Sequence, residues 1–174
     1  DVKEARNFLD RNHIQGFVGS KIDLGLYVKS GEKEYLISIM TFGGLRKNLG
    51  NTSSEGSYEL LRFCNVINYS VVGGASKLLK YFENNYKPEK LISYADKRWS
   101  IGNLYVKLNF ELIRVSPPNY FYVDGQKRLH RFNFRKDILI SKYGCSPEDT
   151  ENNFTKNVLG LKRIYDCGSL VYQK

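Results

Sequence analysis

The chain has 174 residues, roughly one domain by length, with 41% hydrophobic and 14% aromatic residues and a formal net charge of +9. Three cysteines without paired spacing and two histidines exclude a disulfide framework and a zinc ribbon, so no metal site is expected. No apolar run reaches membrane-spanning length and no signal peptide is recognisable, so a cytoplasmic protein without a membrane partner is expected, and its charge points to a polyanion.

Residues 3–12 (KEARNFLDRN) set Ala5, Phe8 and Leu9 on one face of a short helix. The chain enters at Asp1 already within this helical pattern, which reads as a piece of a longer polypeptide. A hairpin follows, with strands 24–29 and 35–42 around a Ser-Gly turn. The Gly/Ser/Asn-rich stretch 43–57 has no periodicity and reads as a loop, and 58–67 (YELLRFCNVI) as a short apolar strand.

Next comes VVGGASKLLKYF, a glycine-rich turn opening a helix over 75–85, with Leu78, Leu79 and Phe82 on one face and Pro88 beyond its end. Residues 90–96 (KLISYAD) read as a buried strand and 103–110 (NLYVKLNF) as a short helix. Two further strands, FELIRVS and NYFYVD, straddle Pro117–Pro118. The basic segment 126–136 precedes a helix near 136–143, a polar loop, and a C-terminal hairpin within RIYDCGSLVYQ. The expected architecture is one α/β domain with a mixed, mostly antiparallel sheet, flanking helices and a basic C-terminal extension.

The order helix, hairpin, strand, Gly-turn, helix, strand, helix, strand resembles that of the GNAT acetyltransferase fold. There the helix after the glycine turn presents its N-terminus to the pyrophosphate of an acyl-coenzyme A. NLYVKLNF is similar to the late motif of that fold, with Asn109 where the junction carries glycine. Within the fold, the segment 12–43, YELLRFC and SYADKRWSIGNLYVKLNF resemble the Mom-like branch of phage DNA-modification enzymes. GGASKL, SYADKRWS and the terminal RIYDCG also resemble the C-terminal domain of phage homing-endonuclease-like proteins, and this second likeness runs to the C-terminus. The first resemblance implies modification of adenine at N6 with acetyl-CoA or a related acyl-CoA. The second implies a setting beside DNA without implying a reaction. Together they imply a bacterial cell carrying a phage or mobile element.

Gly73, Gly74, Ala75, Ser76 and Lys77 supply unobstructed backbone N–H groups and a cation, as a pyrophosphate requires. A tight turn capped by Ser76, or a clamp for a DNA phosphate, uses the same residues. Asp96 ends a strand, where it is a candidate proton acceptor and orienting group for an adenine amino group or, alternatively, an ion-pair partner of Lys97 or Arg98. His13 is a candidate proton shuttle. Arg62, inside an apolar strand, needs a buried partner or a ligand anion. Tyr105 matches the position from which GNAT-type enzymes protonate a departing thiolate, or else packs in the core. Arg98 and Trp99 suit stacking on a base. Lys127, Arg128, Arg131, Arg135 and Lys136, interleaved with Phe132 and Phe134, suit a strand whose basic face tracks phosphates, and Arg46 is counted with them.

Two functions are therefore open: an acyl-CoA-dependent nucleobase-modifying enzyme acting on double- or single-stranded DNA, or a non-catalytic DNA-targeting domain.

Overall fold

The computed structural model describes residues 1–45 and 55–174, so Arg46 lies outside the described residues. The chain divides into two compact units: Asp1–Ala95 with Trp99–Val115 and Leu170–Lys174, and Asp96–Arg98 with Ser116–Ser169. The class is α/β. Among the described residues, no helix is long and apolar enough to cross a membrane.

The first unit is built on a six-stranded sheet in the order β1-β2-β3-β4-β9-β5. Its strands are β1 (Ile22–Ser30), β2 (Lys33–Gly43), β3 (Ser57–Asn65), β4 (Lys90–Asp96), β5 (Glu111–Val115) and β9 (Ser169–Gln173). The β1–β2 and β2–β3 pairs are antiparallel and β3–β4 is parallel. Leu91 and Lys174 exchange both backbone hydrogen bonds, at 2.8 and 2.9 Å, which ties the chain end to β4.

Alternation along β2 sorts the helices. Met40 and Phe42 belong to the main core with Leu78, Leu79 and Phe82 of α2 (Gly74–Tyr86), where Phe42 and Phe82 stack with ring centroids 3.7 Å apart. Ile39, pointing the other way, packs with Ala5, Phe8 and Leu9 of α1 (Val2–Asn12). The two helices thus cover opposite faces of the sheet. A short α3 (Asn103–Lys107) adds Tyr105 to the α2-side core.

The second unit pairs β6 (Tyr120–Asp124) with β7 (Lys127–His130) on one edge and β8 (Lys162–Tyr165) on the other. A 3-10 turn at Arg131–Phe134, α4 (Lys136–Tyr143) and α5 (Glu151–Asn157) complete it. Its core joins Tyr122, Phe134, Leu139, Cys145, Phe154 and Leu161.

Three expectations are corrected here. The C-terminal hairpin does not form: β8 pairs with β6, while β9 joins the six-stranded sheet beside β5. Gly168 between them is so tightly enclosed that a Cβ would overlap the Ser116 carbonyl. The polar loop contains α5, whose N-cap Thr150 accepts from the Asn153 N–H at 3.1 Å. The basic segment is not one strand either. It turns after His130, whose Nδ1 accepts from the Phe132 N–H at 3.3 Å.

Candidate functional site

Strands β3 and β4 run together over only four positions, Ser57–Leu60 against Lys90–Ser93. Beyond Leu60, β3 continues alongside β2 as far as the Asn65–Ser38 pair. The parallel pair therefore opens into a fork, and a buried hydroxyl pair marks its base. Ser93 Oγ lies 2.8 Å from the Leu60 carbonyl and 2.9 Å from the Tyr105 hydroxyl. The carbonyl can only accept and serine has one proton, so Ser93 donates to Leu60 and Tyr105 donates to Ser93. Burial pushes the Tyr105 pKa up, and the phenol stays protonated. Tyr105 also stacks on Tyr172, with centroids 4.7 Å apart.

The glycine turn lies farther along β3, beside Ser38, whose partner Asn65 ends the strand. Gly73 is the N-cap of α2 at φ 72°, in the left-handed region, and no side chain caps the helix. Ser76 is therefore not the cap. The Lys77 N–H donates to Gly73 at 2.9 Å and the Gly74 N–H to Val71 at 3.1 Å. The N–H groups of Ala75 and Ser76 have no partner among the described residues, as the first turn of a helix leaves them. The two glycines differ in purpose. A Cβ at Gly73 would enter open space, whereas one at Gly74 would press on Ser38 Oγ at 3.2 Å and Val71 Cγ1 at 3.1 Å. Ser38 in turn donates to Asn65 Oδ1 at 2.6 Å, which fixes the turn to the end of β3.

Arg62 finds its partners in the backbone. The register moves from Thr41–Arg62 to Phe42–Leu60, so Leu61 is an extra residue that turns Arg62 away from the α2-side core. Its Nε donates to the Gly16 carbonyl at 3.0 Å and its Nη1 to the Leu61 carbonyl at 2.9 Å. His13 lies near it, and burial first, then the Arg62 charge, lower the imidazole pKa to about 4. Its Nδ1 accepts from the Gln15 N–H at 3.0 Å, so the neutral ring carries its proton on Nε2. Burial and the Arg62 charge thus favour the neutral ring at neutral pH. His13 sits on the α1 side with Arg62, and Tyr105 on the α2 side.

In the second unit, Asp96 is held by Arg98. Arg98 Nε donates to both carboxylate oxygens at 3.0 and 3.1 Å, and its N–H donates to Oδ1 at 3.0 Å. These bonds hold the carboxyl below its usual range, which weakens it as a proton acceptor. The same pairing engages the Arg98 guanidinium that the sequence offered to a base. Trp99 belongs to the first unit and is 62% exposed.

The basic segment splits by role. Lys136 Nζ donates to the carbonyls of Ser146, at 2.7 Å, and Asp149, and the Lys136 N–H donates to Glu151 Oε1 at 2.8 Å. It is a clasp between α4 and the loop before α5, not a phosphate ligand. Arg135 pairs with Asp137 at 3.3 Å. Lys127 and Arg128 are exposed, and Arg131 is half-buried with its guanidinium 5.5 Å from the ring centroids of Tyr120 and Phe132.

No protein-family model matches the chain, and no curated protein is significantly similar to it.

Sequence reasoning missed Ser93. Its signal was a hydroxyl alternating with Leu91 and Ala95 on the inward side of an apolar strand, where a buried oxygen requires a partner.

Proposed function

We propose that the first unit is a GNAT-like domain that binds an acyl-coenzyme A, and that the protein transfers the acyl group to a nucleobase amino group, adenine N6 being the acceptor its Mom-like resemblance implies. The observation that carries this reading is the fork itself. A parallel pair parts at Leu60 and Ser93, a protonated Tyr105 stands at its base, and the uncapped N-terminus of α2 packs beside Ser38, whose partner Asn65 ends β3.

The residues fit such a cofactor. The unpartnered N–H groups of Ala75 and Ser76, the helix dipole and the exposed Lys77 favour a diphosphate. Exposed Tyr69 and Val72 offer apolar surface beside the turn. A bound acyl-coenzyme A supplies an activated acyl group. Tyr105 holds a proton for the departing thiolate and would regain one from the amino group as it is acylated, so the phenol ends protonated, and Ser93 orients it. Neither Asp96, clamped by Arg98, nor His13, neutral and turned to Gln15, is assigned as the base.

A second reading, a non-catalytic DNA-targeting domain, is favoured by the cation-rich second unit. Calorimetry with acetyl-CoA and CoA, combined with mass spectrometry of nucleosides from DNA incubated with protein and acyl-CoA, separates the two. Binding that is lost on Lys77→Glu, with a modified nucleoside that disappears in Tyr105→Phe, is expected. Absence of both CoA binding and a modified nucleoside leaves the targeting reading.

A further inference from the structure

The three-stranded sheet of the second unit has one covered face and one open face. Tyr122 and Leu129 face the helices and pack with Phe134, Leu139 and Phe154. The alternate residues, Phe121, Val123, Arg128, His130, Lys162 and Ile164, share the opposite face by register. Arg128, His130, Lys162 and Ile164 are exposed, and none of the six is acidic.

The rings on this face form a continuous strip. The Arg128 guanidinium lies 4.4 Å over the Phe121 ring, which meets His130 edge-on at 5.6 Å. His130 stacks on Phe132 at 5.2 Å with the planes within 8°. The guanidinium of Arg131 lies 5.5 Å from the Phe132 centroid and that of Arg135 5.6 Å. Asp137 balances Arg135, and the Asp96 carboxylate that reaches Arg128 electrostatically is held by Arg98. Arg128 and Lys162 remain as the positive charge of this face, since half-buried Arg131 also lies 5.5 Å from Tyr120 on the covered side.

We propose that this strip binds single-stranded nucleic acid. Unpaired bases stack on the ring and guanidinium planes, and their phosphates meet Arg128 and Lys162. Charge alone would serve a duplex equally well. A duplex, however, keeps its base faces stacked inside and offers phosphates and groove edges, to which an open row of π-surfaces adds little. Rings interleaved with planar cations on one open sheet face suit a strand whose bases are free, as aromatic-bearing sheets in other nucleic-acid binders do. This inference does not depend on the acyl-CoA reading.

The test uses fluorescence anisotropy with the full chain, no CoA, and labelled oligonucleotides of about 12 units as single-stranded DNA, single-stranded RNA and duplex DNA. The single strands bind more tightly than the duplex, and any preference between DNA and RNA identifies the sugar that is read. His130→Leu and Phe132→Leu, which keep apolar bulk but remove the π-face, each weaken single-strand binding on the order of tenfold and leave the salt slope unchanged. Arg128→Gln lowers that slope by about one phosphate contact. Circular dichroism and thermal unfolding establish that the leucine variants are folded. Duplex binding as tight as single-strand binding, folded leucine variants with unchanged affinity, or no binding at low salt overturns the proposal. Loss of CoA binding alone does not touch it.

Discussion

The Tyr105 hydroxyl lies 2.9 Å from Ser93 Oγ at the last paired position of β3 and β4. The relay Tyr105 to Ser93 to the Leu60 carbonyl closes one hydrogen-bond account at the point where the sheet opens. The two hydroxyls are not equivalent. Tyr105→Phe leaves Ser93 still bonded to Leu60 and costs about 1 kcal/mol. Ser93→Ala removes the bond to Leu60 and leaves the buried phenol without its acceptor, and costs about 2–3 kcal/mol. Urea unfolding of the two variants gives that order, and equal losses contradict the relay. In a turnover assay, Tyr105→Phe lowers the rate on the order of 10²–10⁴-fold.

Asp96→Asn behaves differently from a catalytic base substitution. The carboxylate is partly exposed and already neutralised by Arg98, so stability falls by less than about 1 kcal/mol. Nucleoside modification stays within a few-fold of the parent. A collapse of turnover in folded Asp96→Asn would restore the acid–base role that the strand-end position suggests.

His13 makes stability depend on pH. Its folded pKa is depressed to about 4 from 6.5, chiefly by burial and then by Arg62. Between these values the unfolded chain binds the proton and the folded chain does not. Its contribution is therefore fully present above about pH 6.5 and is lost as pH falls towards 4. Denaturant midpoints at pH 7.5, 6 and 5 decline in that sequence, and His13→Gln flattens the part of the decline that lies in this window.

Lys136 and Arg128 separate charge consumed by the fold from charge left on an open face. Lys136→Met removes donors from the Ser146 and Asp149 carbonyls and destabilises the protein by about 1–3 kcal/mol. The salt dependence of nucleic-acid binding is unchanged by it, in contrast to Arg128→Gln. Thermal unfolding and a salt titration on the same two variants give both readouts.

Gly102 and Gly73 both adopt left-handed backbone, at φ 87° and 72°. A Cβ at Gly102 would also overlap the Tyr172 hydroxyl, whereas at Gly73 it meets nothing within 4 Å. Gly102→Ala costs more than about 2 kcal/mol and Gly73→Ala about 1 kcal/mol. Differential scanning calorimetry of the pair tests whether the close approach to Tyr172, rather than φ alone, fixes Gly102.

The sequence by itself determined those elements whose periodicity was unambiguous and local. Ala5, Phe8 and Leu9 predicted α1, Leu78, Leu79 and Phe82 predicted α2, and the Ser-Gly turn predicted the first hairpin, because side-chain spacing and turn chemistry act over a few residues. The glycine turn was visible as a helix start for the same reason. Partner choice over long separations was decided only by the tertiary structure. RIYDCGSLVYQ has the pattern of a hairpin, yet its halves join different sheets, since each strand finds its apolar partners far away in the sequence. Arg62 read as a charge inside an apolar strand, and only the extra residue Leu61 in the register decides which face it takes. Lys136 and Arg128 are alike in a basic run and unlike in the fold: one lies within reach of two carbonyls, and the other lies over a ring on an open face. Charge is written in the sequence, but whether a charge is consumed by the fold depends on what the folded backbone brings within hydrogen-bonding distance.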